Sequence, residues 1–223
     1  MTAQAPRSGR ARRQVVVKRL GLFLSGLGLP VFGAPPPLLQ TVEARYNHAQ
    51  SIKLDFSETY TASRRPEQRE EGTLYLRKPG RMRWEYSNPA GKLFVSDGKE
   101  LYLYLPEERR AEKSKLKESE DLRAPLAFLL GKLEFSREFE SFEMRPEGDA
   151  TNIVANPKSK NLAYTRVEFV ARPDGRITRL RVTGQDQSKL EFTFSNEQMN
   201  APVAAGQFVF KAPAGVMVVE AER

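Results

Sequence analysis

The chain has 223 residues, with 36 Lys and Arg against 28 Asp and Glu, one His and no Cys, a length for one or two domains. Without cysteine there are no disulfide staples, no thiolate chemistry and no Cys-based metal sites. The formal charge of +8 falls to +2 once the six cations of the first 33 residues, which hold no Asp or Glu, are set aside; that removes most of the support for nucleic-acid binding.

Those first 33 residues have the layout of a cleavable export signal. Arg7, Arg10, Arg12, Arg13, Lys18 and Arg19 form a basic start, residues 20–32 an apolar run, and the cut is expected ahead of Ala34. The run is short for a membrane span. Paired Arg12 and Arg13 leave both general and twin-arginine export open. No cysteine follows the run, so the chain is not expected to be lipidated itself. The expected organisation is a signal over 1–33 and one domain over 34–223.

After a stiff Pro35-Pro36-Pro37, the positions Leu39, Val42, Tyr46 and Ala49 recur at helical spacing and predict an amphipathic helix over 38–50. Ile52, Leu54 and Phe56 alternate with Lys53, Asp55 and Ser57, a half-buried strand. Residues 62–71 read as a polar turn. Four strands follow, at 73–77, 81–86, 92–96 and 101–105. Pro79-Gly80, Asn88-Pro89 and Asp97-Gly98 separate them. Asp-Gly between apolar runs is a strong hairpin signal, because a type I′ turn needs positive φ at both central positions. This stretch holds the only Trp, Trp84, and four of the seven Tyr, with apolar residues on both faces near Tyr102, Leu103 and Tyr104. Such a sheet must be covered on one side and hold something on the other.

Residues 107–121 are strongly charged and predict a solvated loop or mobile lid. Pro125 and Gly131 bound a short helix, apolar all round, that must be buried or face a lipid. Strands are expected at 139–145, 152–156, 164–171, 176–183 and 189–195, and a last one where Phe208 and Phe210 alternate with Val209. About ten short strands at hairpin spacing, with two or three helices, predict a mainly β (α+β) fold built on a curved antiparallel sheet with helices on one face.

Chemistry is sparse. His48, the one histidine, lies on the polar side of the first helix. There is no nucleophile elbow, P-loop or dinucleotide fingerprint. The carboxylate pairs Glu70-Glu71 and Glu107-Glu108 stand beside arginines in polar stretches and read as solvated charge. No enzyme activity, cofactor or metal is expected.

The run from Gly72 to Pro106 resembles the periplasmic outer-membrane lipoprotein carrier family of the Lol pathway. It carries G-x-L-x-L followed by Lys78-Pro79 and Trp84, then V-S-D-G-K and Y-x-P. The resemblance extends to P-K-x-x-N-L at 157–162, R-P-D-G-R-I at 172–177 and F-x-F-x-x-P-x-G-V at 208–216, so it spans about 38 to 219.

The resemblance implies a single strongly curved sheet forming an incomplete β-barrel, with two or three helices over its concave face as a lid. It implies a periplasmic carrier that takes lipoproteins released from the inner membrane by their acyl chains and delivers them toward the outer membrane. The implied partners are acylated lipoproteins, an ABC-type lipoprotein-releasing transporter of the inner membrane and an outer-membrane acceptor. The implied cavity residues are Leu39, Val42, Tyr46, Ile52, Leu54, Phe56, Leu74, Leu76, Met82, Trp84, Tyr86, Leu101, Leu103, Phe128 and Leu129. In the family an Arg before the Pro of this turn latches the lid; here that position is Lys78, preceded by Arg77, and either is expected to reach carbonyls near 125–131. Lys offers a compact ammonium in place of a planar fork. Two other readings stand beside this one: ordinary core for the apolar stripe, and a lipid shuttle or envelope-stress sensor on the same half-barrel.

Overall fold

The computed structural model describes residues 1–2, 35–116 and 133–221. By contacts the chain divides into Met1–Gly33 and Ala34–Arg223; every element below lies in the second unit. Pro37 opens helix α1, Pro37–His48, where its missing N–H costs nothing. Leu39, Val42 and Tyr46 form its one buried stripe, and Arg45 and His48 sit in the last turn, favourable for the helix dipole. Among the described residues the one other α-helical piece is α2, a single turn at Phe135–Glu138. The expected helix over 125–131 lies outside the described residues.

Two meanders make the sheet. The first comprises β1 Ser51–Thr61, β2 Gln68–Arg77, β3 Arg81–Asn88, β4 Leu93–Ser96, β5 Glu100–Leu105 and β6 Arg110–Lys115. The second comprises β7 Phe139–Glu147, β8 Ala150–Pro157, β9 Tyr164–Ala171, β10 Ile177–Gly184 and β11 Lys189–Met199. They join where β11 pairs with β1, and a final strand β12, Met217–Glu220, lies beside β6. Among the described strands the order β12-β6-β5-β4-β3-β2-β1-β11-β10-β9-β8-β7 leaves β12 and β7 as edges, so the curved sheet is open and not a closed barrel. Bulges at Lys53/Asp55, Glu71/Gly72 and Ile177/Arg179 bend it locally.

Four sequence expectations change. Residues 68–71 are strand rather than turn: their backbone extends the β1 ladder from Glu71↔Ser57 to Gln68↔Tyr60. The charged stretch at 110–115 is also strand. Ladder bonds to β5 and β12 hold it, and its charges pair locally, Lys113 with Glu100 at 3.4 Å and Arg110 with Glu112 at 2.9 Å. Residues 208–210 form no strand. A 3-10 turn at Ala205–Phe208 buries Phe208, and Phe210 stacks on Tyr102 at 5.0 Å. The closing strand is β12, and its pairing with β6 is parallel, the one parallel pair among the described strands.

The Asp97-Gly98 hairpin forms with a different turn. Gly98 alone takes a positive φ, +98°, while the Asp97 side chain accepts from the backbone N–H of Lys99 and Glu100 at 2.8 and 2.9 Å. An aspartate that caps its own turn needs no left-handed backbone.

Residues 200–216 run across the convex face. Arg77 donates to the Val203 carbonyl (2.9 Å) and Arg83 to the Gln207 carbonyl (3.1 Å). Val95 and Ala111 are buried, as is Phe208; the strand alternation puts Val95 and Ala111 on the face opposite the main core. The concave face carries that core.

Candidate functional site: the apolar concave face

Register fixes which side chains face inward. Leu54, Leu74, Trp84, Phe94 and Leu103 stand opposite one another across β1 to β5, and Ile52, Leu76, Met82, Ser96 and Leu101 form the next row. Beyond them come Phe56, Gly72 and Tyr86. Gly72 is required there: a Cβ would lie 2.0 Å from the Glu85 carbonyl oxygen, in the main chain. Phe56 then meets Tyr86 and Trp84 edge-on, with centroids 5.1 and 4.8 Å apart.

The expected residues converge. Leu39, Val42, Tyr46, Ile52, Leu54, Phe56, Leu74, Leu76, Met82, Trp84, Tyr86 and Leu101 are all buried members of one apolar cluster, and Leu103 packs half-buried against it. Phe128 and Leu129 lie outside the described residues. The second meander supplies as much of the face as the first, through Val167, Phe169, Leu180, Val182, Leu190 and Phe192. Phe192 lies 5.0 Å from Trp84. Their strand alternation was visible in the sequence, but nothing local says that β11 pairs with β1. An aromatic group, Phe135, Phe139, Phe142 and Phe169, continues the same cluster, with Phe135 and Phe169 stacked at 5.4 Å.

Helix α1 shares the cluster, so it lies on the concave face, and polar contacts fasten it there. Tyr46 is more than lining. Its hydroxyl donates to Glu197 Oε2 and accepts from the Ile177 N–H, each at 3.0 Å. Arg45 adds bonds to Glu197 Oε1 at 2.5 and 3.2 Å, and the Glu197 side chain is 3% exposed. Burial first, then the Glu197 charge, pushes the Tyr46 hydroxyl far above the ordinary phenol range. At Arg45 burial acts to lower the pKa, and the Glu197 hydrogen bond and charge outweigh it, so the net shift is upward.

At the other end of α1, Lys78 donates to the Asn47 carbonyl, and burial lowers the pKa of its ammonium. The Asn47 side chain in turn brackets the Leu133 peptide, donating to its carbonyl at 2.8 Å and accepting its N–H at 2.7 Å. Glu43 accepts the Phe135 N–H at 2.6 Å. The two candidate latch cations therefore part. Lys78 holds the lining helix, whereas Arg77 binds the convex segment at Val203. The carbonyls of 125–131 lie outside the described residues.

The concave face ends in charge. Tyr86 donates to buried Glu58 at 2.9 Å, Lys92 pairs with Glu70, and the Lys92 ammonium stands 4.4 Å from the Tyr86 ring centroid. Glu70, whose side chain is 17% exposed, is thus a half-buried ion-pair partner rather than solvated charge, because β2 begins early enough to bring it under Lys92. Glu71, Glu107 and Glu108 are exposed as expected. His48 sits on the exposed side of α1, with Nδ1 2.7 Å from the Ala44 carbonyl. Among the described residues no cluster of His, Cys, Asp or Glu could hold a metal ion.

An open, curved antiparallel half-barrel with an apolar floor and a helix fastened over it defines the fold class. The family model for the outer membrane lipoprotein carrier protein LolA matches residues 47–211, and the chain belongs to that family. Its relatives include the outer-membrane lipoprotein carrier protein of Chromobacterium violaceum, 27% identical over 89% of this chain and 93% of the relative. That of Pectobacterium carotovorum is 28% identical over 78% and 84%. Among solved structures, a LolA superfamily protein from Nitrosomonas europaea aligns with 9% identity and a TM-score of 0.45, over 78% of this chain and 96% of the other.

Proposed function

We propose that this chain is a periplasmic carrier that takes up lipoproteins by their acyl chains after release from the inner membrane and hands them on toward the outer membrane. It is not an enzyme on this reading. The observation that carries the proposal is the single apolar floor built by both meanders, with α1 fastened over it by polar contacts at its C-terminal half. Each buried methylene is worth roughly 0.8 kcal/mol, so an acyl chain does not cross water unaided. A carrier needs only a comparably apolar surface that can be uncovered and covered again. Apolar contacts beneath α1 can be exchanged for acyl contacts at little net cost, while the polar fasteners set how readily the helix lifts.

In this reading Lys78 is the latch on α1, a single ammonium on a carbonyl, which opens more easily than a guanidinium fork. Net transfer out of the inner membrane requires an external energy source, which an ABC-type lipoprotein-releasing transporter would provide. An outer-membrane acceptor would take the cargo. The export signal over 1–33 delivers the chain to the compartment where such cargo is released.

The test is native mass spectrometry of the mature protein, purified without detergent from a periplasm co-expressing a triacylated lipoprotein. A one-to-one complex that disappears when the client lacks its lipid is expected. Bound free lipid with no protein client would instead make the chain a lipid shuttle or sensor, and an empty protein would reduce the concave face to ordinary core.

A further inference from the structure

Trp84 is the only tryptophan of the chain and is 0% exposed on the interior strand β3. Its indole Nε1 has no hydrogen-bond partner among the described residues. Three other buried polar atoms among the described residues share that condition: Arg110 Nε, Asn152 Oδ1 and Arg176 Nε. Arg110 and Asn152 each bond through another polar atom, to Glu112 and Glu168. For Trp84, Nε1 is the one polar atom it has, and its neighbours are apolar: Leu74 and Phe94 beside it in the ladder, Phe56 and Phe192 against its rings. Aromatic faces are at best weak acceptors. A buried N–H without an acceptor is costly and rare enough in native cores to need a reason.

We propose that the Trp84 indole N–H is a ligand-reading donor that donates to the carbonyl oxygen of an ester-linked acyl chain, so that the concave face distinguishes acyl esters from plain hydrocarbon of the same length. The inference rests on the carrier reading above and adds the chemistry of the linkage it recognises. The occupant must be apolar enough for a floor of Leu and Phe. It must also bring an acceptor without a donor or a charge of its own. An ester carbonyl meets both conditions. An alcohol would bring a second donor and a carboxylate a charge, each of which would need further partners in this shell.

The carbonyl reaches the indole only when side chains now burying Trp84 are displaced. An unmet donor weakens the closed, empty state and is satisfied in the loaded one, so the preference appears in binding rather than in the fold.

The experiment uses the mature protein with two synthetic lipopeptides of equal chain length, one dipalmitoyl ester and one dihexadecyl ether. Because the chain has one indole, a 15N-labelled sample gives a single indole N–H resonance. The ester is expected to move that proton downfield, the ether not, and the ester to bind about five- to tenfold more tightly, the worth of one net hydrogen bond. Trp84→Phe is expected to bind both with the ether's affinity. Equal affinities and an unmoved resonance in the unsubstituted protein overturn the proposal while leaving the carrier reading intact. If neither lipopeptide binds, the carrier reading fails and the proposal fails with it. The resonance is measured without substitution, so the test stands even if Trp84→Phe folds poorly.

Discussion

Removing one oxygen atom from Tyr46 should loosen α1 without touching its apolar stripe. In Tyr46→Phe the ring remains, and two contacts go: the donation to Glu197 Oε2 and the acceptance of the Ile177 N–H, both at 3.0 Å. The first is a charge-assisted bond, worth roughly 1.5–3 kcal/mol. The second leaves a buried backbone N–H unsatisfied, roughly another 1–3 kcal/mol, since the hydroxyl is the acceptor the structure gives it. Arg45 still holds Glu197, so the carboxylate is not stranded. The expected loss is about 2.5–6 kcal/mol, or roughly 5–24 °C in Tm for a domain of this size. Urea unfolding by circular dichroism measures it.

The pH dependence follows with a definite sign. The folded Tyr46 hydroxyl titrates above its unfolded value, so its stabilisation is complete below the unfolded phenol pKa of about 10 and is lost as the pH rises toward the folded value. The unsubstituted protein should lose stability more steeply than Tyr46→Phe above about pH 10. A Tyr46→Phe variant within about 0.5 kcal/mol of the parent and with the same alkaline slope would refute the fastening role of this hydroxyl.

Three further outcomes are expected. Lys78→Met should change global stability by less than about 1 kcal/mol, because the ammonium is mostly solvated, yet speed amide exchange in the last turn of α1; if Lys78 and Arg77 are both replaced and neither exchange nor lipid release changes, there is no latch. Gly72→Ala should cost more than about 3 kcal/mol or prevent folding, since its Cβ would meet main chain at 2.0 Å; Gly206→Ala, with nothing within 4 Å, is the neutral control. Phe210→Ala should remove the stack on Tyr102, cost roughly 1–2 kcal/mol, and make residues 201–216 cleavable in limited proteolysis at unchanged far-UV signal.

Alternation made the floor of the first meander legible: Ile52, Leu54, Phe56, Leu74, Leu76, Met82, Trp84 and Tyr86 all turn inward as their period of two implies. It failed where the ladder rather than burial makes the strand. Residues 110–115 carry paired charges and are held by main-chain bonds to β5 and β12, so no apolar period marks them. Phe208 and Phe210 show the reverse. They alternate like strand residues, but they fill the convex face from a segment with no ladder partner. The fasteners of α1 were out of reach of local pattern, because Tyr46 and Glu197 lie 151 positions apart and meet only once β11 has paired with β1. An orphaned indole N–H likewise exists only in three dimensions.

The central claim is that acyl chains occupy the concave face, and Trp84 reports on it directly. Bromine quenches indole fluorescence on contact, and this chain has one indole. Titration with a lipopeptide brominated along its acyl chains should quench most of the emission at one equivalent, while the same lipopeptide brominated only in its peptide should quench little. Stoichiometric binding with unquenched Trp84 would place the cargo elsewhere and contradict the account.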